Sequence, residues 1–249
     1  MMRRTFKTSK CLVGYGNDGR IYYLKCRFHG SDNKKAYVHN VYTEYLILKL
    51  VNSSHFAIAR EVLPLDNFGI LVTDYYLKLK CTKNNIDFYL KELILGIKAL
   101  HRIGIVHRNL SLEHLRINIF GRLVITGLGK AEIQHLPQSN IFNMCKGRKG
   151  DARYAAPEEF TGECFDGRKS DLWSCGIIYM KVFIEEFLWE SAELHIEKYK
   201  KYFISRNRRK LFSKISYDAH LVMGKILDPN PVTRITIEEL MESMWFKNR

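Results

Sequence analysis

The chain has no run of about 18 consecutive apolar residues, so nothing in it reads as a membrane-spanning helix. Its 249 residues include only 5 prolines and 16 glycines, too few for a collagen-like or low-complexity chain. The first ten residues are polar and basic and lack the roughly 7 to 15 apolar residues at the centre of a secretory signal, so secretion is not expected. Six cysteines, at 11, 26, 81, 145, 164 and 175, form no C-x-x-C pair and have no histidine at zinc-ligand spacing, so neither a zinc knuckle nor a disulfide framework is indicated. The expected setting is intracellular and reducing, either cytoplasm or nucleus. Internal repeats are absent too.

What is present is a globular composition. Apolar residues make up 46% of the chain and aromatic residues 12%, enough to bury a core in one large domain or two small lobes and too much for a disordered chain. Forty Lys and Arg against 26 Asp and Glu leave a net charge of +14. Such a charge attracts phosphoproteins, acidic peptides, nucleic acid or anionic lipid without choosing among them.

The first 80 residues read mostly as strands, with short β-branched or aromatic runs at Lys10–Val13, Arg20–Phe28 and Ile70–Tyr76. One helix interrupts them: Val41, Tyr45, Leu48 and Val51 share a face, with Glu44 beside the stripe. Beyond residue 76 the rhythm turns helical. Ile86, Leu90, Leu93, Ile97 and Leu100 imply a helix of about 17 residues. A small hairpin is expected from Leu115–Ile119 and Arg122–Ile125 around Phe120 and Gly121, then an irregular segment from Lys130 to Tyr154. The apolar stretch Leu172–Phe187 suits a buried helix. The expectation is a single α+β domain, with a small β-rich lobe over residues 1–75 and a larger, mainly helical lobe over 76–249.

Five ordered segments carry a family resemblance: His107-Arg108-Asn109-Leu110-Ser111-Leu112-Glu113-His114-Leu115, Gly127-Leu128-Gly129, Ala156-Pro157-Glu158, Asp171-Leu172-Trp173-Ser174-Cys175-Gly176, and Asp228 to Thr236. In this order they resemble the eukaryotic protein kinase domain of the serine/threonine type, over nearly the whole chain. The resemblance implies a bilobal fold with a hinge near Thr73, Asp74 and Tyr75. It also implies that Glu158 and Arg234 form a buried ion pair, that Asp171 holds the catalytic-loop backbone, and that His107 is a packing residue.

Phosphoryl transfer requires positioned ATP, metal ions on its phosphates, and a carboxylate that orients the attacking hydroxyl and accepts its proton. Where the family has that carboxylate this chain has Asn109, an amide that takes no proton near neutral pH. Where it has the metal-holding Asp there is Gly127, with no side chain to offer. His114 stands for the second metal-ligating residue and Ser111 for the usual lysine. Four positions of the chemistry have changed together, so no catalytic residue set is intact and no metal site is expected.

Gly14-Tyr15-Gly16-Asn17-Asp18-Gly19 satisfies G-x-G-x-x-G, which alone is weak evidence for a phosphate loop. Lys25 precedes Glu44 by 19 residues, a separation typical of the family's strand Lys and helix Glu. In that register Asn17-Asp18-Gly19 is a hairpin turn, and the phosphate loop falls in residues 3–10, which contain no glycine. The alternative register keeps residues 14–19 as the loop and moves the strand lysine to residues 36–39. If nucleotide binds, Lys25, Glu44, Asp74 and Tyr75 are the residues expected to meet it, with ATP held without magnesium; no cofactor is required.

The expected function is therefore that of a pseudokinase, a scaffold or allosteric partner for an active kinase or another acidic signalling protein. One alternative is a weakly active serine/threonine kinase that recruits a replacement base such as Glu113. Another is a kinase-fold module binding nucleic acid or acidic lipid through clusters such as Arg206, Arg208, Arg209 and Lys210; nucleic acid is disfavoured because the cations are spread along the chain. Arg108, which meets an activation-segment phosphate in related enzymes, is expected to meet a carboxylate or nothing, because Ser139 is the only Ser or Thr between Lys130 and Tyr154. Lys146-Gly147-Arg148-Lys149-Gly150 reads as a solvated loop or an acidic-partner site.

Overall fold

A computed structural model describes residues 10–28, 34–64, 68–135, 141–204, 212 and 215–248. In chain order the elements are β1 (Lys10–Tyr15), β2 (Ile21–Phe28), α1 (Lys34–Leu50), β3 (Ala59–Pro64), β4 (Phe68–Asp74), β5 (Leu77–Lys78), α2 (Ile86–Arg102), β6 (Ile105–Val106), β7 (Leu115–Ile117), β8 (Leu123–Ile125), β9 (Glu132–Ile133), β10 (Cys145–Lys146), β11 (Cys164–Phe165), α3 (Gly167–Ile184), α4 (Glu197–Ile204), α5 (Tyr217–Ile226), α6 (Ile237–Glu242) and α7 (Met244–Lys247). Among the described residues no helix is long and apolar enough to cross a membrane.

Two compact units result, one of Met1–Leu79 with Leu115–Ala131, the other of Lys80–His114 with Glu132–Arg249. The first is β-rich with one α-helix and the second is mainly helical, as the expected bilobal α+β class requires. A single split at residues 75 and 76 does not describe the division. The hairpin of β7 and β8 belongs with the first unit because β7 pairs with β5, Leu77 opposite Ile117. Ile125 also bridges Phe56, and its N–H donates to the His55 carbonyl at 2.7 Å. Those backbone bonds would otherwise be unmet in a buried segment.

In the first unit an antiparallel sheet runs in the order β1-β2-β4-β3, with Lys25 of β2 opposite Cys11 of β1 and Leu71 of β4. β3 escaped the sequence reading, since Ala59–Pro64 shows no clean alternation. Between β1 and β2 the chain turns at residues 16–20: the Gly16 N–H donates to Arg20 O at 2.9 Å and the Gly19 N–H to Gly16 O at 3.0 Å. Gly19 has φ +75°, a conformation open to glycine, and the Asp18 carboxylate accepts from the Arg20 N–H and the Tyr22 hydroxyl.

In the second unit α2 buries Ile86, Leu90, Leu93, Ile97 and Leu100, the stripe anticipated from spacing, together with Ile94. Each such side chain contributes about 1.5–3 kcal/mol of burial. α2 packs on α3, which starts where the Asp166 carboxylate accepts the Arg168 N–H at 2.9 Å. Gly176 lets α3 lie close to the end of α5, since a Cβ there would stand 2.7 Å from a methyl of Ile226. Trp173, Trp189, Tyr199, Tyr202 and Phe212 form a chain of ring contacts, so most aromatics of the second basic region serve the core. Ser139, residues 3–9, and Arg206, Arg208, Arg209 and Lys210 lie outside the described residues.

Arg234 anchors this unit. Its guanidinium donates to both Glu158 oxygens at 2.6 and 2.8 Å and to the carbonyls of Asp228 and Lys169, and it lies 5.0 Å from the Trp173 ring centroid. Both partners are buried. Arg234→Ala leaves the Glu158 carboxylate buried without its counter-charge and is expected to cost about 3–5 kcal/mol, read as a fall in the urea midpoint; an unchanged midpoint contradicts this.

Candidate functional site

In the first unit, β2 and α1 bring Lys25 and Glu44 together. The Lys25 ammonium donates to both carboxylate oxygens of Glu44, at 2.9 and 2.8 Å, and Glu44 is 2% exposed. Its Oε1 also accepts the backbone N–H of Gly127 at 2.9 Å. One desolvated carboxylate thus ties α1 to the sheet and to the segment entering Leu128, which is fully buried. Gly127 reaches this position with φ +85°, where an L side chain is strained.

Asp74 ends β4, its carboxylate gripped by Arg60, whose terminal nitrogen lies 2.7 Å from Oδ2. Spacing along the chain does not reveal this partner, because Arg60 sits on β3, whose residues show no clean alternation. Tyr75 is 38% exposed and Thr73 is buried. Thr73 and Asp74, taken as hinge residues, are in-register strand positions opposite Tyr23 and Tyr22.

In the second unit, Asp171 organises the loop that carries Asn109. Its carboxylate accepts the N–H groups of His107 at 2.7 Å and Arg108 at 2.9 Å, and lies 2.9 Å from His101 Nε2. Burial alone would raise the Asp171 carboxyl, but His101 and the His107 backbone outweigh it and hold it below the ordinary aspartate value. Arg108 takes φ +62° at this bend. Asn109 is partly exposed. His114 Nδ1 lies 2.8 Å from the Asn109 carbonyl and 3.2 Å from Ser111 Oγ, so both replacements belong to the loop's own hydrogen bonding.

The Arg108 side chain is buried with carboxylate partners: an ion pair to Glu132, a second to Glu159 at 3.7 Å, a hydrogen bond to the Gly147 carbonyl, and Phe165 4.8 Å from the guanidinium. Glu132 also takes Lys149 at 3.1 Å. The cluster at residues 146–150 is accordingly not a wholly solvated loop. Burial raises the Glu159 carboxyl. Nothing in the spacing of Glu132 or Glu159 announced this partnership, which depends on a fold-level approach.

The donor set does not fit magnesium. That ion takes hard, anionic oxygen ligands, and of the two positions that the resemblance assigns to metal, Gly127 has no side chain and His114 carries an imidazole engaged with its own loop. Among the described residues no group of three or more His, Cys, Asp or Glu is arranged to hold a metal.

The protein kinase domain model matches residues 7–246. The chain belongs to the protein kinase family. Similar proteins include the serine/threonine-protein kinase hal4 of Schizosaccharomyces pombe, 32% identical over 76% of this chain and 30% of that protein. Others are HAL4/SAT4 of Saccharomyces cerevisiae, 33% identical over 64% of this chain and 27% of that protein, and CBL-interacting protein kinase 31 of Oryza sativa, 33% identical over 72% and 38%. The chain spans less than half the length of these relatives. It is a serine/threonine-kinase-like domain.

Two measurements check these features of the kinase domain. Gly127→Ala is expected to lower stability by about 1–2 kcal/mol in urea titrations, because the left-handed backbone penalises a Cβ. For Asp171 the folded carboxyl lies below its unfolded value, so its stabilisation is complete at neutral pH and lost as pH falls through about 4 and below. The acid limb of the stability profile should therefore be shallower in Asp171→Asn than in the parent chain.

Proposed function

We propose that this domain is a pseudokinase, keeping the kinase scaffold without transferring phosphate and acting through its surfaces as a scaffold or allosteric partner of another signalling protein. The observation that carries the reading is the replacement of two acidic side chains by Asn109 and Gly127. At 109 no group takes the proton of an attacking hydroxyl, and at 127 only a backbone N–H is presented, already donated to Glu44. The intact Glu158–Arg234 pair and the Asp171 hub support a maintained fold beside lost chemistry. In this reading Lys25, oriented by Glu44, is the group that meets nucleotide phosphates without magnesium, with Asp74 and Tyr75 as further contacts. An intracellular setting is part of the same reading, supported by cysteines that remain free at 81, 145, 164 and 175.

The names of the relatives favour a second reading, a weakly active serine/threonine kinase. Glu113, its candidate replacement base, is exposed on the short helical turn Leu112–His114. Purified chain given labelled ATP with magnesium or manganese and generic substrates separates the two. No transfer above a heat-inactivated control is expected, and any nucleotide-induced thermal shift should be the same with and without magnesium. Transfer abolished by Lys25→Ala establishes the active kinase instead, and a shift that requires magnesium overturns the metal-free nucleotide reading.

A further inference from the structure

The helical unit holds a small cavity of about 270 Å³, bordered by the last turns of α2, the start of α3 and the segment that enters α6. Leu172, Ile235 and Ile237 give it aliphatic walls and are themselves buried. Five basic side chains line it as well: Lys98, His101 and Arg102, which share one face of α2 at spacings of three and four residues, and Arg168 and Lys169 of α3. Two larger cavities of the same unit have the opposite character, each with one lysine against three or more carboxylates.

Pairing inside the fold accounts for two of the five cations. His101 lies 2.9 Å from an Asp171 oxygen, and Arg168 is 2.7 Å from Asp166. The other three are not neutralised by an ion pair. Lys169 donates to the Arg234 carbonyl, which satisfies one of its three donors without supplying charge, and burial holds its ammonium below the ordinary lysine value. Lys98 donates to the Met241 sulfur at 3.2 Å, a weak acceptor, and Arg102 is exposed; neither forms an ion pair among the described residues. Against these three stands one carboxylate on the cavity, Glu238, exposed in the first turn of α6.

Such an excess suits a dianion better than a single carboxylate, and two ammonium groups beside a guanidinium fork form a donor set that phosphate oxygens accept from. Sites for drug-sized ligands hold roughly 300–1,000 Å³, so a body attached to that phosphate must be small. We propose that this cavity binds a small phosphomonoester, with Lys98, Arg102 and Lys169 on the phosphate and the aliphatic walls against an apolar face of its body. None of these residues stands at a position of phosphoryl transfer, so the inference is independent of whether the domain transfers phosphate.

The test is calorimetric titration of the whole chain with phenyl phosphate. Saturable binding is expected at or below about 1 mM, with inorganic phosphate several-fold weaker and phenol not bound. Arg102→Gln and Lys98→Gln should each weaken it about tenfold, with the melting temperature of the exposed Arg102 variant unchanged. Glu238→Gln should tighten it. Lys200→Gln, the same charge change at an exposed position of α4, and Lys25→Ala, at the candidate nucleotide contact, should leave it as in the parent. The proposal is overturned if phenyl phosphate does not saturate below about 10 mM, if inorganic phosphate binds as tightly, or if both cavity variants bind like the parent. Equal weakening by Lys200→Gln overturns it in favour of diffuse charge, and loss of binding in Lys25→Ala alone in favour of the nucleotide site. Arg102-dependent binding of a phosphotyrosine peptide or of phosphatidylinositol 4-phosphate vesicles, without phenyl phosphate binding, overturns it in favour of a macromolecular ligand.

Discussion

A carboxylate taken out of water must be supplied with donors, and this chain does so at three places on which its architecture depends. Glu44 receives an ammonium and a backbone N–H, Asp171 receives two backbone N–H groups and His101, and Glu158 receives a bidentate guanidinium. Each group joins segments distant in sequence. Each also makes its surroundings intolerant of partial loss, because a buried charge stripped of one partner is worse than no charge.

That constraint separates the residues that have changed from those that have not. Asn109, Ser111, His114 and Gly127 differ from the family's chemical residues, yet none disturbs a buried ion pair. His114 bonds to its own loop, and the Gly127 backbone supplies a donor that Glu44 uses. The activation segment shows the same economy. With few hydroxyls available for modification, Arg108 is neutralised by Glu132 and Glu159, carboxylates written into the sequence, so its electrostatic balance needs no added phosphate.

Much of the fold was legible because it rests on local periodicity. The stripe on α2, the buried run of α3 and the turn before β2 follow from spacing and turn chemistry, which act over a few residues. The pair of Lys25 and Glu44 was legible for another reason, a separation characteristic of a known family. Arg60 with Asp74 and Arg108 with Glu132 were not legible, since such partners meet only when strands and loops far apart in sequence come together. The same holds for β7 and β8, which look like any hairpin until β5 and Phe56 claim them.

By itself the sequence determined which residue types stand at positions 109 and 127, because an amide or a missing side chain is a property of the residue whatever the packing around it. Only the tertiary structure decided where the remaining charges go. Ion pairing depends on distance through a low-dielectric interior, and that distance exists once the chain has folded.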